Sequence, residues 1–194
     1  MENYQYHIFS PYRVCPLGAH VDHQHGLVTG FAFNMGVDLW FNPVEDGRVS
    51  LKSLTFEGSV DFDVTKPTQV KEGNWGDYAR GAKYALKKRF ELKHGIEGII
   101  KGSLPVGGLS SSAAVLTAYV MALAKANSIS LTKMEIIKIA SEAEREYIGL
   151  FINAAVFAIN IPNISVIAYS KVYFKLVLRV LLCNGLFYNS FHLP

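Results

Sequence analysis

The stretch Leu104–Pro105–Val106–Gly107–Gly108–Leu109–Ser110–Ser111–Ser112–Ala113–Ala114 concentrates the sharpest chemistry in the chain. Paired glycines let backbone amides come close to a polyanion. A helix opening at the serines adds unpaired N–H groups and the positive end of its dipole. Three successive hydroxyls supply further donors for phosphate and oxygen ligands for Mg²⁺. The stretch has no Gly-Lys-Ser/Thr and no G-x-G-x-x-G, so it is neither a Walker A loop nor a dinucleotide fingerprint. The plainer alternative is a glycine turn with a serine N-cap ahead of an apolar helix. The glycine pair followed by three serines favours phosphate binding.

A second cluster lies in Pro11–Tyr12–Arg13–Val14–Cys15–Pro16–Leu17–Gly18–Ala19–His20–Val21–Asp22–His23–Gln24–His25–Gly26. An arginine such as Arg13 can stabilise charge on a transferring phosphoryl group or lower a hydroxyl's pKa. Asp22 and the histidines can hold polyol hydroxyls in fixed orientation. By residue type alone, His20-x-Asp22-His23 is also compatible with a metal site, although no further partner ligand stands out. A structural histidine is a further alternative.

These motifs need a scaffold, and the pattern around them reads as α/β. Val49–Ser53 alternates at period two as a strand does, and Ser59–Val64 repeats the pattern as its antiparallel neighbour. Tyr78 to Phe90 has helical spacing, with Tyr78, Ala82, Ala85 and Leu86 on one face. Lys83, Lys87, Lys88 and Arg89 read as the solvated side of that helix. Gly98–Gly102 reads as a short buried strand. Ser112 to Ala126 is rich in Ala, Val, Leu and Met without Gly or Pro, which predicts a buried helix. Thr132 with Glu135 three residues on has capping-box spacing, and the helix it opens is expected to run to about Tyr147.

The chain has 194 residues, enough for one large domain and short for two. Half the residues are hydrophobic and 18% are charged, which fits a globular protein and argues against disorder. A net charge of +3 with no concentrated basic face argues against a nucleic-acid partner. Cys15 and Cys183 form no disulfide framework or metal pattern, which points to a reducing, cytoplasmic compartment. Met1–Ser10 lacks the charge and apolar pattern of a signal peptide. Beyond Leu150 the composition changes: 151–194 holds no Asp or Glu, and its only Lys or Arg residues are Lys171, Lys175 and Arg179. The expected division is therefore 1–150 and 151–194. The tail leaves three readings open: a membrane span, which its cations oppose; a membrane-surface segment; and a sequence that is not an evolved structural element. The third is favoured over a membrane role. The oligomeric state is not legible.

The serine loop resembles the signature loop of the GHMP kinases, and its triple serine resembles the galactokinase branch. Arg13, Gly18, His20, Asp22 and Gly26 match the spacing of the galactokinase sugar motif. The segment Trp75–Gly76–Asp77–Tyr78–Ala79–Arg80–Gly81 is similar to a third segment of these kinases. The resemblance covers about Pro11 to Leu150. It implies the α+β fold of GHMP N-terminal domains, like domain 2 of ribosomal protein S5, with the family's C-terminal domain absent. It also implies ATP-dependent phosphorylation of a sugar at its anomeric hydroxyl, with ATP and Mg²⁺ as cofactors. Arg13 is then the catalytic-site arginine, and His20 and Asp22 contact the sugar. Pro105, Gly107, Gly108, Leu109, Ser110, Ser111 and Ser112 hold the nucleotide. Trp75 lies near the adenine, or is an ordinary core aromatic. Ser112 and Glu144 hold the metal, while Glu142 and Glu146 are expected to be surface charges.

Two departures from the galactokinase pattern bear on substrate and turnover. Ala19 stands where galactokinases have a glutamate facing carbon six of galactose, and His23 replaces a tyrosine. Loss of the negative charge favours a sugar with a carboxylate at that carbon, and the whole run resembles galacturonokinases. The second departure is Val156, which occupies the place of the family's catalytic aspartate and cannot accept a proton. That mismatch begins where the composition changes, so the expectation is a truncated or frameshifted chain with impaired activity. The alternative is a nucleotide- and sugar-binding or regulatory protein without turnover.

Overall fold

A computed structural model describes residues 3–15, 30–68, 70–103 and 111–150. Alternation drives the sheet. In β2 (Phe31–Val44), Val37, Leu39 and Phe41 are buried, while the intervening Asp38 and Trp40 are only half-buried. β3 (Arg48–Ser53) buries Val49 and Leu51, and β4 (Ser59–Asp63) buries Val60 and Phe62. β5 (Gly95–Gly102) starts three residues earlier than its apolar pattern suggests. Together with β1 (Tyr6–Val14) these strands form one sheet in the order β1-β2-β5-β3-β4. β3 and β5 are parallel, and the other neighbours are antiparallel.

The sequence pattern did not single out β1 and β2. β1 contains Pro11, which supplies no ladder N–H and is tolerated because β1 is an edge strand. Its register with β2 shifts between Pro11 and Arg13. Gly36 sits opposite Pro11, where a Cβ would lie 2.2 Å from the Ser10 carbonyl oxygen, so the strands meet only because no side chain is there.

Helices α1 (Asp77–Lys87), α2 (Ser111–Ala126) and α3 (Lys133–Glu142) pack together, with α2 against β1, β2 and β5. α2 is apolar nearly all round, as its central place between the sheet and the other helices demands. The capping box forms as its spacing predicts: the Glu135 N–H donates to the Thr132 hydroxyl, and the Glu135 carboxylate accepts from the Thr132 N–H.

Three expectations are corrected. The third helix does not run on as an α-helix to Tyr147; it ends at Glu142 and widens into a π turn, Ala143–Ile148. Gly149 closes that turn at φ 84°, donating its N–H to the Glu144 carbonyl. The basic run on α1 is not simply a solvated face. Lys83 is 1% exposed, and its ammonium lies over the Phe62 ring at 5.5 Å and donates to the carbonyls of Asp63 and Pro67. Burial pushes the Lys83 ammonium down to about 8. Glu142 is not a surface charge either. It is buried against α1, where it receives Lys88 at 2.6 Å and Arg89 at 2.5 Å.

Candidate functional site

The sheet and helices bring together three residues that are remote in sequence. Arg13 stands near the end of β1 and is 7% exposed. Ser112 is in the first turn of α2. Glu144 lies in the π turn and is fully buried. Neither Glu144 oxygen closes a hydrogen bond with another described residue. Burial raises its carboxyl to about 7, while the Ser112 hydroxyl and the Arg13 charge pull the other way without prevailing. A carboxylate in this position is unsatisfied unless a proton or a cation joins it.

The π turn is held from outside by α1. Lys88 reaches both Glu142 and Glu146, the latter at 2.5 Å, and Tyr147 lies against Gly81, where a Cβ would come within 3.2 Å of its ring. The acidic run thus splits by partner: Glu142 and Glu146 face Lys88 and Arg89 just past the end of α1, and Glu144 faces Ser112 and Arg13. Among the described residues no group of three His, Cys, Asp or Glu side chains could hold a metal. A single carboxylate and a serine hydroxyl still fit Mg²⁺, which commonly takes one or two carboxylates and completes its shell with substrate phosphates and water.

Beside this cluster runs a cleft whose described lining residues are all uncharged. Trp75, Tyr78 and Phe56 wall it, and Ser111 and Ser112 stand in it at the start of α2. Trp75 is half-buried, packs against the core while lining the cleft, and donates its indole N–H to the Glu57 carbonyl at 3.2 Å. The loop before α1 is built by Asp77, whose carboxylate accepts from the N–H groups of Glu72 and Gly73 and pairs with the buried Arg80. Tyr78 and Tyr12 also line the cleft and were not singled out from sequence. Tyr78 was legible as the fourth residue of Trp75–Gly76–Asp77–Tyr78; Tyr12 had no signal beyond its neighbour Arg13.

Several predicted site residues lie outside the described residues: Ala19, His20, Asp22, His23, Pro105, Gly107, Gly108, Leu109 and Ser110, with Val156 and all of 151–194. Among the described residues no helix is long and apolar enough to cross a membrane. Cys15 is a free cysteine, and its sulfur accepts from the Arg13 guanidinium at 2.7 Å.

Comparison with known proteins gives the class. Residues 77–159 match the GHMP kinases N terminal domain. The chain carries a GHMP kinase N-terminal domain, with a mixed α/β fold to match. Its relatives include a galacturonokinase from Arabidopsis thaliana, 43% identical over 162 residues, which covers 74% of this chain and 38% of the relative. A galactokinase from Thermococcus kodakarensis is 35% identical over 144 residues, covering 74% of this chain and 40% of that protein. The chain thus spans about two fifths of the length of these relatives. Among solved structures, Lactococcus lactis galactokinase complexed with galactose superposes with a TM-score of 0.74 at 28% identity, over 83% of this chain and 43% of that one. A mevalonate kinase shares the fold, with a TM-score of 0.71 at 19% identity over 92% of this chain and 57% of that one. The family match runs to residue 159, past the composition change at Leu150.

Proposed function

We propose that residues 1–150 form the nucleotide- and sugar-binding unit of an ATP-dependent sugar 1-kinase, and that 151–194 is a segment of separate character. The observation that carries this reading is the meeting of Arg13, Ser112 and the unsatisfied Glu144 beside an uncharged aromatic cleft. A flat heteroaromatic base suits the cleft, and its phosphates would extend to the head of α2, where free N–H groups and hydroxyls favour anions. Pro105, Gly107, Gly108, Leu109 and Ser110 supply the close backbone approach. Ser112 and Glu144 would hold Mg²⁺, which when bound offsets charge on the phosphates.

Arg13 stabilises the charge that develops as the anomeric hydroxyl attacks the γ-phosphate. His20 and Asp22 orient the sugar hydroxyls. Ala19 and His23 admit a carboxylate at carbon six, so galacturonate is the proposed sugar ahead of galactose. The 43% identity to a galacturonokinase supports that order.

A second reading has one observation in its favour. Val156 stands where the family's acidic group is expected and cannot accept a proton. In that reading the chain binds nucleotide and sugar without turnover. A coupled ADP-release assay with galacturonate and with galactose, run beside direct ATP titration, separates the two. Turnover on galacturonate above galactose supports the kinase reading. ATP binding with no turnover on either sugar supports the second. A chain that binds no nucleotide overturns both.

A further inference from the structure

The Tyr119 phenol takes no part in the site described above. α2 carries it about two turns beyond Ser112, on the same helix face. Tyr119 lines the same cleft as Trp75 and Ser112, yet it is fully buried. Its hydroxyl has no hydrogen-bond partner among the described residues. Burial holds the phenol well above its ordinary pKa, so it remains an O–H donor throughout the working range of pH. Helical side chains lean toward the N-terminus of their helix, which here is the Ser111–Ser112 end. Val37, Ile100 and Val115 share the cleft and offer no side-chain acceptor. A buried donor without an acceptor is costly unless a ligand satisfies it.

We propose that the Tyr119 hydroxyl donates a hydrogen bond to a ring nitrogen of the purine of the bound nucleotide, so that α2 reads the base with Tyr119 and the phosphates with its N-terminus. This rests on the nucleotide reading above and adds the group that recognises the base. Thr117 provides an internal control. It is as buried as Tyr119 and its hydroxyl is likewise unpartnered, but it does not line the cleft.

The test uses the full chain, with Tyr119→Phe and Thr117→Val as variants. Titration calorimetry measures binding of magnesium–ATP and of magnesium tripolyphosphate, which has the phosphates without the base. Thermal melts of the ligand-free protein are run alongside. Tyr119→Phe is expected to weaken ATP about tenfold, the size of one hydrogen bond to a ligand, and to leave tripolyphosphate unchanged. Its ligand-free melting temperature should hold or rise, because an unmet polar group is removed. Thr117→Val should leave both ligands unaffected. The proposal is overturned if Tyr119→Phe binds ATP as tightly as the parent, or weakens both ligands alike. If the parent binds neither ligand, the nucleotide reading falls and this inference falls with it. If the parent binds both and only the variant result disagrees, the inference alone fails.

Discussion

Glu144 in the π turn is drawn toward ionisation by the Ser112 hydroxyl on α2, yet burial keeps its carboxyl near 7. The pair spans two elements that only the fold brings together. It leaves a carboxyl that is half ionised at neutral pH and whose oxygens close no hydrogen bond among the described residues.

The first prediction concerns stability against pH. Burial raises the Glu144 carboxyl in the folded protein to about 7, above the ordinary glutamate value of about 4.5. Its contribution is therefore fully present below about pH 4.5 and is lost as pH rises through 7. Glu144→Gln removes that dependence. The metal-free variant should be more stable than the parent at pH 8, by on the order of 3 kcal/mol, and the gap should close toward pH 4.5. Melts across that range check it. A gap independent of pH would mean that Glu144 is not the titrating group.

Binding of magnesium–ATP should also expel a proton. At pH 7 the Glu144 carboxyl is near its midpoint, and a cation there requires the ionised form. Calorimetry in buffers of different ionisation enthalpy is expected to show release of about half a proton at pH 7, falling toward zero at pH 9. Glu144→Gln should abolish the release.

Trp75 should report nucleotide binding. ATP is expected to quench its fluorescence, and Trp75→Phe should remove the quench. Trp40 stacks on His7 at 4.9 Å, away from the cleft residues, so Trp40→Phe should retain it. Trp75→Ala should weaken ATP about tenfold or more, the scale of one lost base stack.

Glu142 should matter more for stability than its place in a charged run suggests. Burial alone would raise its carboxyl, but the bonds and charges of Arg89 and Lys88 outweigh burial and hold it below the ordinary value. Its contribution is present above about pH 4.5 and is lost as pH falls through the lowered value. Glu142→Ala is expected to cost on the order of 1–2 kcal/mol at pH 7, measured by urea denaturation, with the cost shrinking as acid protonates Glu142.

Local pattern was enough for the elements whose chemistry is local. Period-two alternation gave β3 and β4, and the Thr132–Glu135 box gave the start of α3, because neighbours a few residues apart decide both. β1 escaped because Pro11 and the register shift beside it break its pattern, and β2 because the apolar Trp40 between Leu39 and Phe41 blurs the alternation that buries Val37, Leu39 and Phe41. The π turn escaped for a different reason. Gly81 on α1 and Lys88 just past its end shape it, and a run of Ala, Glu and Arg looks helical by propensity alone.

The site divides the same way. The sequence by itself determined which residue types were available: the glycine–serine loop, Arg13 with its His–Asp cluster, Trp75 and three alternate glutamates. It also set the resemblance to the GHMP kinases, which the family match bears out. The resemblance singles out Glu144 among those glutamates; only the tertiary structure decided that Glu142 is buried against Lys88 and Arg89 while Glu144 is buried toward Ser112 and Arg13. Residue type cannot separate Glu142, Glu144 and Glu146; burial and partners can, because a charge's state depends on what surrounds it in space.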